Sequence, residues 1–168
     1  MGHRRLLSIL VAAGVGSVLL AGGISAAHGA HATREVAFQA SLRGKLDILV
    51  RPSGLQIVGW AQGTATLLGN TVLLATGPTE QPRAGCWQFS GVGSLIGGNG
   101  DRLFLALGQP RVGCRVRPGS TTFPSSAQVQ VIGGTGPYAR AAGQLKMTSS
   151  GDAISSGITL KISGTVTY

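Results

Sequence analysis

The sequence predicts an all-β domain, a barrel or a sandwich of eight or more short antiparallel strands. Three observations predict it. Beyond residue 32, no stretch repeats its apolar positions every 3.6 residues as an amphipathic helix does. Apolar and polar residues instead alternate, most completely at the C-terminus, where Ile158, Leu160, Ile162, Val166 and Tyr168 share one face with Gly164 in phase, and Thr159, Lys161, Ser163, Thr165 and Thr167 share the other. Turn signals punctuate these runs at close spacing, and the 28 glycines follow no G-X-Y period, which excludes a collagen-like chain.

In chain order, Thr33–Ser41 alternates as a first strand or an N-terminal arm. Lys45–Arg51 and Leu55–Trp60 are short β-like runs parted by the turn Pro52-Ser53-Gly54. Gly63–Leu68 and Asn70–Thr76 follow, the latter ended by Gly77-Pro78. Thr79–Gly85, with Glu80, Pro82 and Arg83, reads as an exposed loop. Trp87–Val92 resumes a strand. Asn99-Gly100-Asp101 is the strongest hairpin signal, since Asn-Gly suits consecutive residues with positive φ. Leu103–Leu107 and Val112–Val116 are divided by Gly108-Gln109-Pro110, and Pro118–Pro124 is a second polar loop. Ser126–Ile132 and Gln144–Ser150 alternate as two antiparallel strands. Between them, Gly133, Gly134 and Gly136 supply backbone freedom and Pro137 fixes φ, which predicts a tight corner pinned by Tyr138.

Residues 1–32 read as a secretory signal peptide. Arg4 and Arg5 form the positive start, Leu6–Leu20 is apolar and uncharged, and small residues allow cleavage after Ala27 or after Ala32. The competing reading is an uncleaved membrane anchor, because Leu6–Ile24 nearly spans a bilayer. The 14 basic residues less Arg4 and Arg5 then face five acidic ones, a net charge near +7. That balance suits a soluble, self-repelling surface and an anionic envelope surface as neighbour. Cys86 and Cys114, both in the exported part, read as one disulfide, with a stabilisation of roughly 3–4 kcal/mol in the chain-entropy model.

The inventory of reactive groups is short. His3, His28 and His31 all lie in or beside the leader, so an exported chain starting at Thr33 has no histidine for a catalytic triad or a zinc site. Glu80, Asp101 and Asp152 fall in turns. Asp47, between Leu46 and Ile48, is the one acid whose strand position allows an inward orientation, against the simpler reading of a solvent-facing residue. Arg111, Arg115 and Arg117 form a basic cluster without the interleaved aromatics of single-strand nucleic-acid binding. Trp60, Trp87, Phe89 and Tyr138 are candidates for lining a ligand pocket, or plain core. Neither a metal nor a cofactor is expected.

Three pieces together resemble one family. Gly133–Gly143 is similar to the "GGTG-x-[FY]-x-x-A-x-G" corner of the allene oxide cyclase/dirigent-like barrel superfamily, Asn99–Leu103 to its "NGD-x-L" hairpin, and Ile162–Tyr168 to its closing "TG-x-[IV]-x-Y" strand. The match runs from about Gly44 to Tyr168, is nearest to secreted bacterial members, and selects a closed barrel of about eight strands, with residues 33–43 as arm or first strand. In that superfamily cyclases close an allene oxide inside the barrel and dirigent proteins orient phenoxy radicals, and cyclases form trimers. For this chain the expectations are a secreted, non-enzymatic barrel that binds a small apolar ligand or an envelope component, a cofactor-free isomerase or cyclase using Asp47, or a structural homo-oligomer of the envelope.

Overall fold

The computed structural model describes residues 33–109, 111–114, 126–152 and 157–168. The leader with its two cleavage positions, Arg115, Arg117 and the loop Pro118–Pro124 lie outside them. Within them the chain is almost wholly β: β1 Glu35–Arg51, β2 Gly54–Ala65, β3 Gly69–Arg83, β4 Cys86–Phe89, β5 Val92–Gly97, β6 Arg102–Leu107, β7 Arg111–Cys114, β8 Ala127–Gly134, β9 Ala142–Asp152 and β10 Gly157–Thr167, with one short 3-10 helix at Gly136–Tyr138. Every strand pairing is antiparallel. The order β2-β1-β10-β9-β8-β6-β5-β3 closes on itself through a β2–β3 pairing, which makes an eight-stranded barrel. Closure leaves those strands no open edge. β4 and β7 continue beyond β3 outside the ring.

Period-two patterning decides which side chains fill the barrel. Phe38, Leu42, Leu95, Leu103, Leu145, Ile162 and Val166 are fully buried, and each alternates with exposed or half-exposed neighbours along its strand. β10 follows the expected phase, with Ile158, Leu160, Ile162 and Val166 inside.

The strands are longer than the sequence reading divides them. β1 runs unbroken from Glu35 through Arg43 and Gly44 to Arg51, pairing β10 with its first half and β2 with its second. Gly44 makes that continuity possible, because a Cβ there would strike the Trp60 carbonyl and Ala61 of the neighbouring strand. β3 is the plainest correction. Gly77-Pro78 does not end it, and Thr79–Arg83, expected as a loop, is strand. Pro78 has no N–H to donate, and it sits where β3 exchanges one neighbour for another, between Thr76 paired with Val92 of β5 and Thr79 paired with Phe89 of β4. Thr79 is buried and its hydroxyl donates to the Gln88 carbonyl at 3.0 Å.

The three sequence pieces that carried the family resemblance meet at one end of the barrel. In the Asn99–Asp101 hairpin, Gly100 has φ +88°, the Asn99 side-chain amide donates to the Asp101 carboxylate at 2.7 Å, and the Gly97 N–H donates to the Asp101 carbonyl. The glycine-rich corner clasps that hairpin: the Arg102 N–H donates to the Thr135 hydroxyl at 2.9 Å, and the Thr135 N–H donates back to the Arg102 carbonyl at 3.0 Å. Gly133 (φ +131°) and Gly136 (φ +55°) make the bend, and a Cβ on Gly136 would press on the Asp101 carboxylate. Tyr138 then folds inward to 8% exposure, donates its hydroxyl to the Leu67 carbonyl at 2.8 Å, and stands edge-on to Tyr168 with ring centroids 5.0 Å apart. These residues close this end of the barrel.

Burial, reinforced by Tyr168 and Asp101 and opposed by Arg34, holds the Tyr138 phenol above its ordinary value of 10.0. The unfolded chain therefore loses this proton first. The associated stability is complete below about pH 10 and is lost as pH rises through the folded-state value. Tyr138→Phe is expected to cost about 1 kcal/mol at neutral pH through the lost hydrogen bond. It is also expected to flatten the stability-against-pH curve above pH ~10, read by urea denaturation of both proteins across pH 7–11.

Candidate functional site

The other half of the barrel is hollow. A cavity of about 120 Å³, partly open to solvent, is walled by Leu46, Ile57, Leu73, Leu105, Leu107, Val129, Met147, Ile158, Leu160 and Ile162, with Phe89 contributed from β4. The register explains why it is empty. One row across the sheet reads Leu46, Gly59, Ala75, Gly93, Leu105 on β1, β2, β3, β5 and β6. Three adjacent strands thus present a glycine, an alanine and a glycine to the interior at the same level, and although Leu46 reaches over Gly59 and Leu73 over Gly93, a hollow remains above the row. Among the described residues, the side-chain hydroxyls of the wall belong to Thr76 and Ser90, and none of its residues is ionisable. An apolar lining of this extent suits small apolar molecules, as an engineered cavity of about 150 Å³ accepts benzene.

The sequence candidates are spread over the molecule. Asp47 is exposed on the outer face of β1, opposite Val58. Leu46 takes the inward position, so the alternation of the strand sends its neighbour outward, and of the two orientations the sequence allows for Asp47 the structure has the solvent-facing one. Trp60 holds a place in the β2 wall, but Gly59 and Ala61 point inward on either side and its own side chain is 45% exposed. Tyr138 is at the opposite, plugged end and does not border the cavity. Of the four aromatic candidates, Trp60 and Phe89 border it, and the Trp87 side chain lies outside the described residues. Gly133, Gly134, Gly136, Asn99, Gly100 and Asp101 have structural roles at the plugged end. Sequence reasoning missed Gly59, Ala75 and Gly93, since nothing in their separate contexts reveals that they align in one row.

Cys86 and Cys114 form a disulfide. They are directly opposed in the β4–β7 pair, so the bond ties β7 to the strand that delivers Phe89 to the cavity. Arg111, from the basic cluster, is placed in β7 in register with Phe89.

Closed antiparallel barrel, eight strands, one end plugged and the other hollow and apolar: these features define the class. Within it, a solved pterocarpan synthase dirigent protein is similar to this chain with a TM-score of 0.54 at 11% identity, over 81% of this chain and 86% of that one. That likeness shows a dirigent-like barrel fold. No protein-family model and no curated protein matches the chain. The disulfide and the fold are compatible with an extracellular protein.

Proposed function

We propose that the chain is an exported barrel that holds a small, uncharged apolar ligand in its hollow half without converting it. The wall of that hollow carries the reading: among the described residues its side chains are apolar apart from two hydroxyls, and none of them is ionisable. General acid–base chemistry needs a titrating group within hydrogen-bond reach of the substrate, and Asp47 is on the wrong face for it. A synthase role, named for the similar dirigent protein, finds no such group among the described wall residues of this chain. Burying a charged ligand head in such a wall would cost several kcal/mol without a compensating partner. The leader at residues 1–32 supplies the export route in this reading.

The test is calorimetric titration with benzene, an uncharged apolar probe of a size that suits a cavity of about 120 Å³. Saturable binding at one probe per chain is expected, with Asp47→Asn leaving the affinity unchanged within about twofold. Absence of saturable binding would remove the ligand reading. A large loss of affinity in Asp47→Asn would give that carboxylate a role its outer position does not explain.

A further inference from the structure

The outside of the barrel carries one row of polar side chains in register. Thr148 of β9 pairs with Lys161 of β10, Lys161 with Ser41 of β1, Ser41 with Thr64 of β2, and Thr64 with Asn70 of β3. The row therefore crosses the strands instead of running along them. Lys161, Ser41, Thr64 and Asn70 are exposed and Thr148 is half-buried. At about 4.8 Å between neighbouring strands, the polar row is roughly 19 Å long. Two surface hollows meet on it at Ser41. One is lined by Thr148, Lys161 and Thr64, the other by Arg43, Gln62 and Asn70. Ser41 is short, and the longer Gln39 and Arg43 flank it at the outward positions of β1. The two hollows thus form one trough across the outer wall.

We infer that this trough binds a linear acidic glycan, a chain of sugars bearing carboxylate groups. The fold leaves its polar groups free for that purpose. Among the described residues, the side chains of Ser41, Gln62 and Asn70 make no hydrogen bond within the chain, and Arg43 and Lys161 make no ion pair. Each sugar hydroxyl both donates and accepts, as do the serine and threonine hydroxyls and the asparagine amide of the row. Charge selects an acidic glycan over a neutral one. Arg43 pairs with Thr159, one outward position from Lys161 on β10, so the two cations are diagonal neighbours across β1 and β10, about 7–8 Å apart at their Cβ atoms. Among the described residues, neither hollow is lined by a carboxylate. Two like charges this close repel, and a carboxylate between them relieves the repulsion: Arg43 supplies a planar fork and Lys161 a point charge. Other polyanions fit the trough less well. Single-stranded nucleic acid is held by stacking on aromatic side chains, and no described lining residue of either hollow is aromatic. A lipid surface takes large apolar side chains beside the cations, and the polar row has none.

Calorimetric titration of the purified protein with penta-galacturonate at about 0.15 M salt tests the inference. Saturable binding of one glycan per chain is expected, weakening as salt is raised. Maltopentaose, a neutral glycan of the same number of sugars, is expected to bind at least tenfold more weakly. Arg43→Gln and Lys161→Gln are each expected to lower the affinity for penta-galacturonate at least tenfold. Ser41→Glu sets a carboxylate between the two cations and is expected to abolish binding. Arg140→Gln removes the same charge from an exposed position in the glycine-rich corner, and is expected to change the affinity by less than about twofold. All these side chains face solvent, so melting temperatures are expected to stay near that of the wild type. Absence of saturable binding, equal affinity for maltopentaose, or equal losses in Arg140→Gln and Arg43→Gln would overturn the inference, the last by leaving net charge as the whole cause. So would a single-stranded oligonucleotide or anionic phospholipid vesicles that bind more tightly than the glycan and are lost in Ser41→Glu. The trough is outside the sheet and the benzene site inside it, so failure of one reading leaves the other standing.

Discussion

Gly134→Ala is expected to destabilise the protein by about 3–5 kcal/mol, a large part of the 5–15 kcal/mol that holds a domain of this kind folded. The cause is steric. Gly134 has no left-handed φ, so an alanine there has no difficulty with its own backbone angles. Its Cβ, however, would strike the Arg102 carbonyl and lie 2.8 Å from both the Cβ and the carbonyl oxygen of Tyr138. Neither neighbour is the loose end of a side chain. The Arg102 carbonyl accepts from Thr135 N–H, and the Tyr138 carbonyl accepts from Ala141 N–H at 2.9 Å. Making room therefore means shifting β6 against the corner or lifting Tyr138 out of its plug. Overpacking costs about 1–3 kcal/mol, and each hydrogen bond surrendered adds about 1 kcal/mol. Gly100→Ala provides the contrast, since its φ is +88° but open space surrounds it; only the left-handed penalty of about 1–2 kcal/mol applies. Urea denaturation of the two variants reads the difference. A Gly134→Ala protein within about 1 kcal/mol of wild type would show that the corner does not clasp the hairpin as described.

That corner is also where the sequence was most legible. A glycine-rich bend, an Asn-Gly turn and a closing strand each have a local cause: positive φ at Gly133, Gly136 and Gly100, and period-two alternation from Ile158 onward. Local causes can be read from local sequence. Their interlocking through Thr135 and Arg102 cannot, because it depends on residues 33 apart in the chain being brought together. Strand ends were misplaced for a related reason. Gly44 looked like a break in the first strand and Pro78 like a stop for the third, yet each is tolerated by what lies across from it: a close-approaching carbonyl at Gly44 and a change of partner strand at Pro78.

The candidate site was less legible than the fold. Aromatic residues drew attention as pocket walls, but a barrel has two faces, and alternation alone does not say which is inside when both bear apolar residues. On β2 the inward set is Ile57, Gly59 and Ala61, smaller on average than the outward Val58 and Trp60. The usual inference from size to burial fails there, and the same inversion leaves the interior hollow and the exterior apolar. The cavity and the exposed apolar face are thus two consequences of one choice of residues on β2 and β3.

Ala75→Leu puts that account to its sharpest test, because it predicts opposite signs for binding and stability. Ala75 occupies the middle of the small-residue row, between Gly59, over which Leu46 reaches, and Gly93, over which Leu73 reaches. A leucine there projects into the cavity of about 120 Å³. Filling roughly half that volume gains on the order of 1 kcal/mol, at ~24 cal/mol per Å³. The space taken is the space a ligand needs, so the affinity for benzene is expected to fall at least tenfold, about 1.4 kcal/mol or more. In an ordinary packed core the same substitution would lower stability by about 1–3 kcal/mol. Thermal denaturation and probe titration of one variant therefore discriminate the two cases. A higher melting temperature with lost binding identifies the row Gly59, Ala75, Gly93 as the floor of the ligand site. A lower melting temperature with binding retained would mean that this wall is already filled and that the probe sits elsewhere.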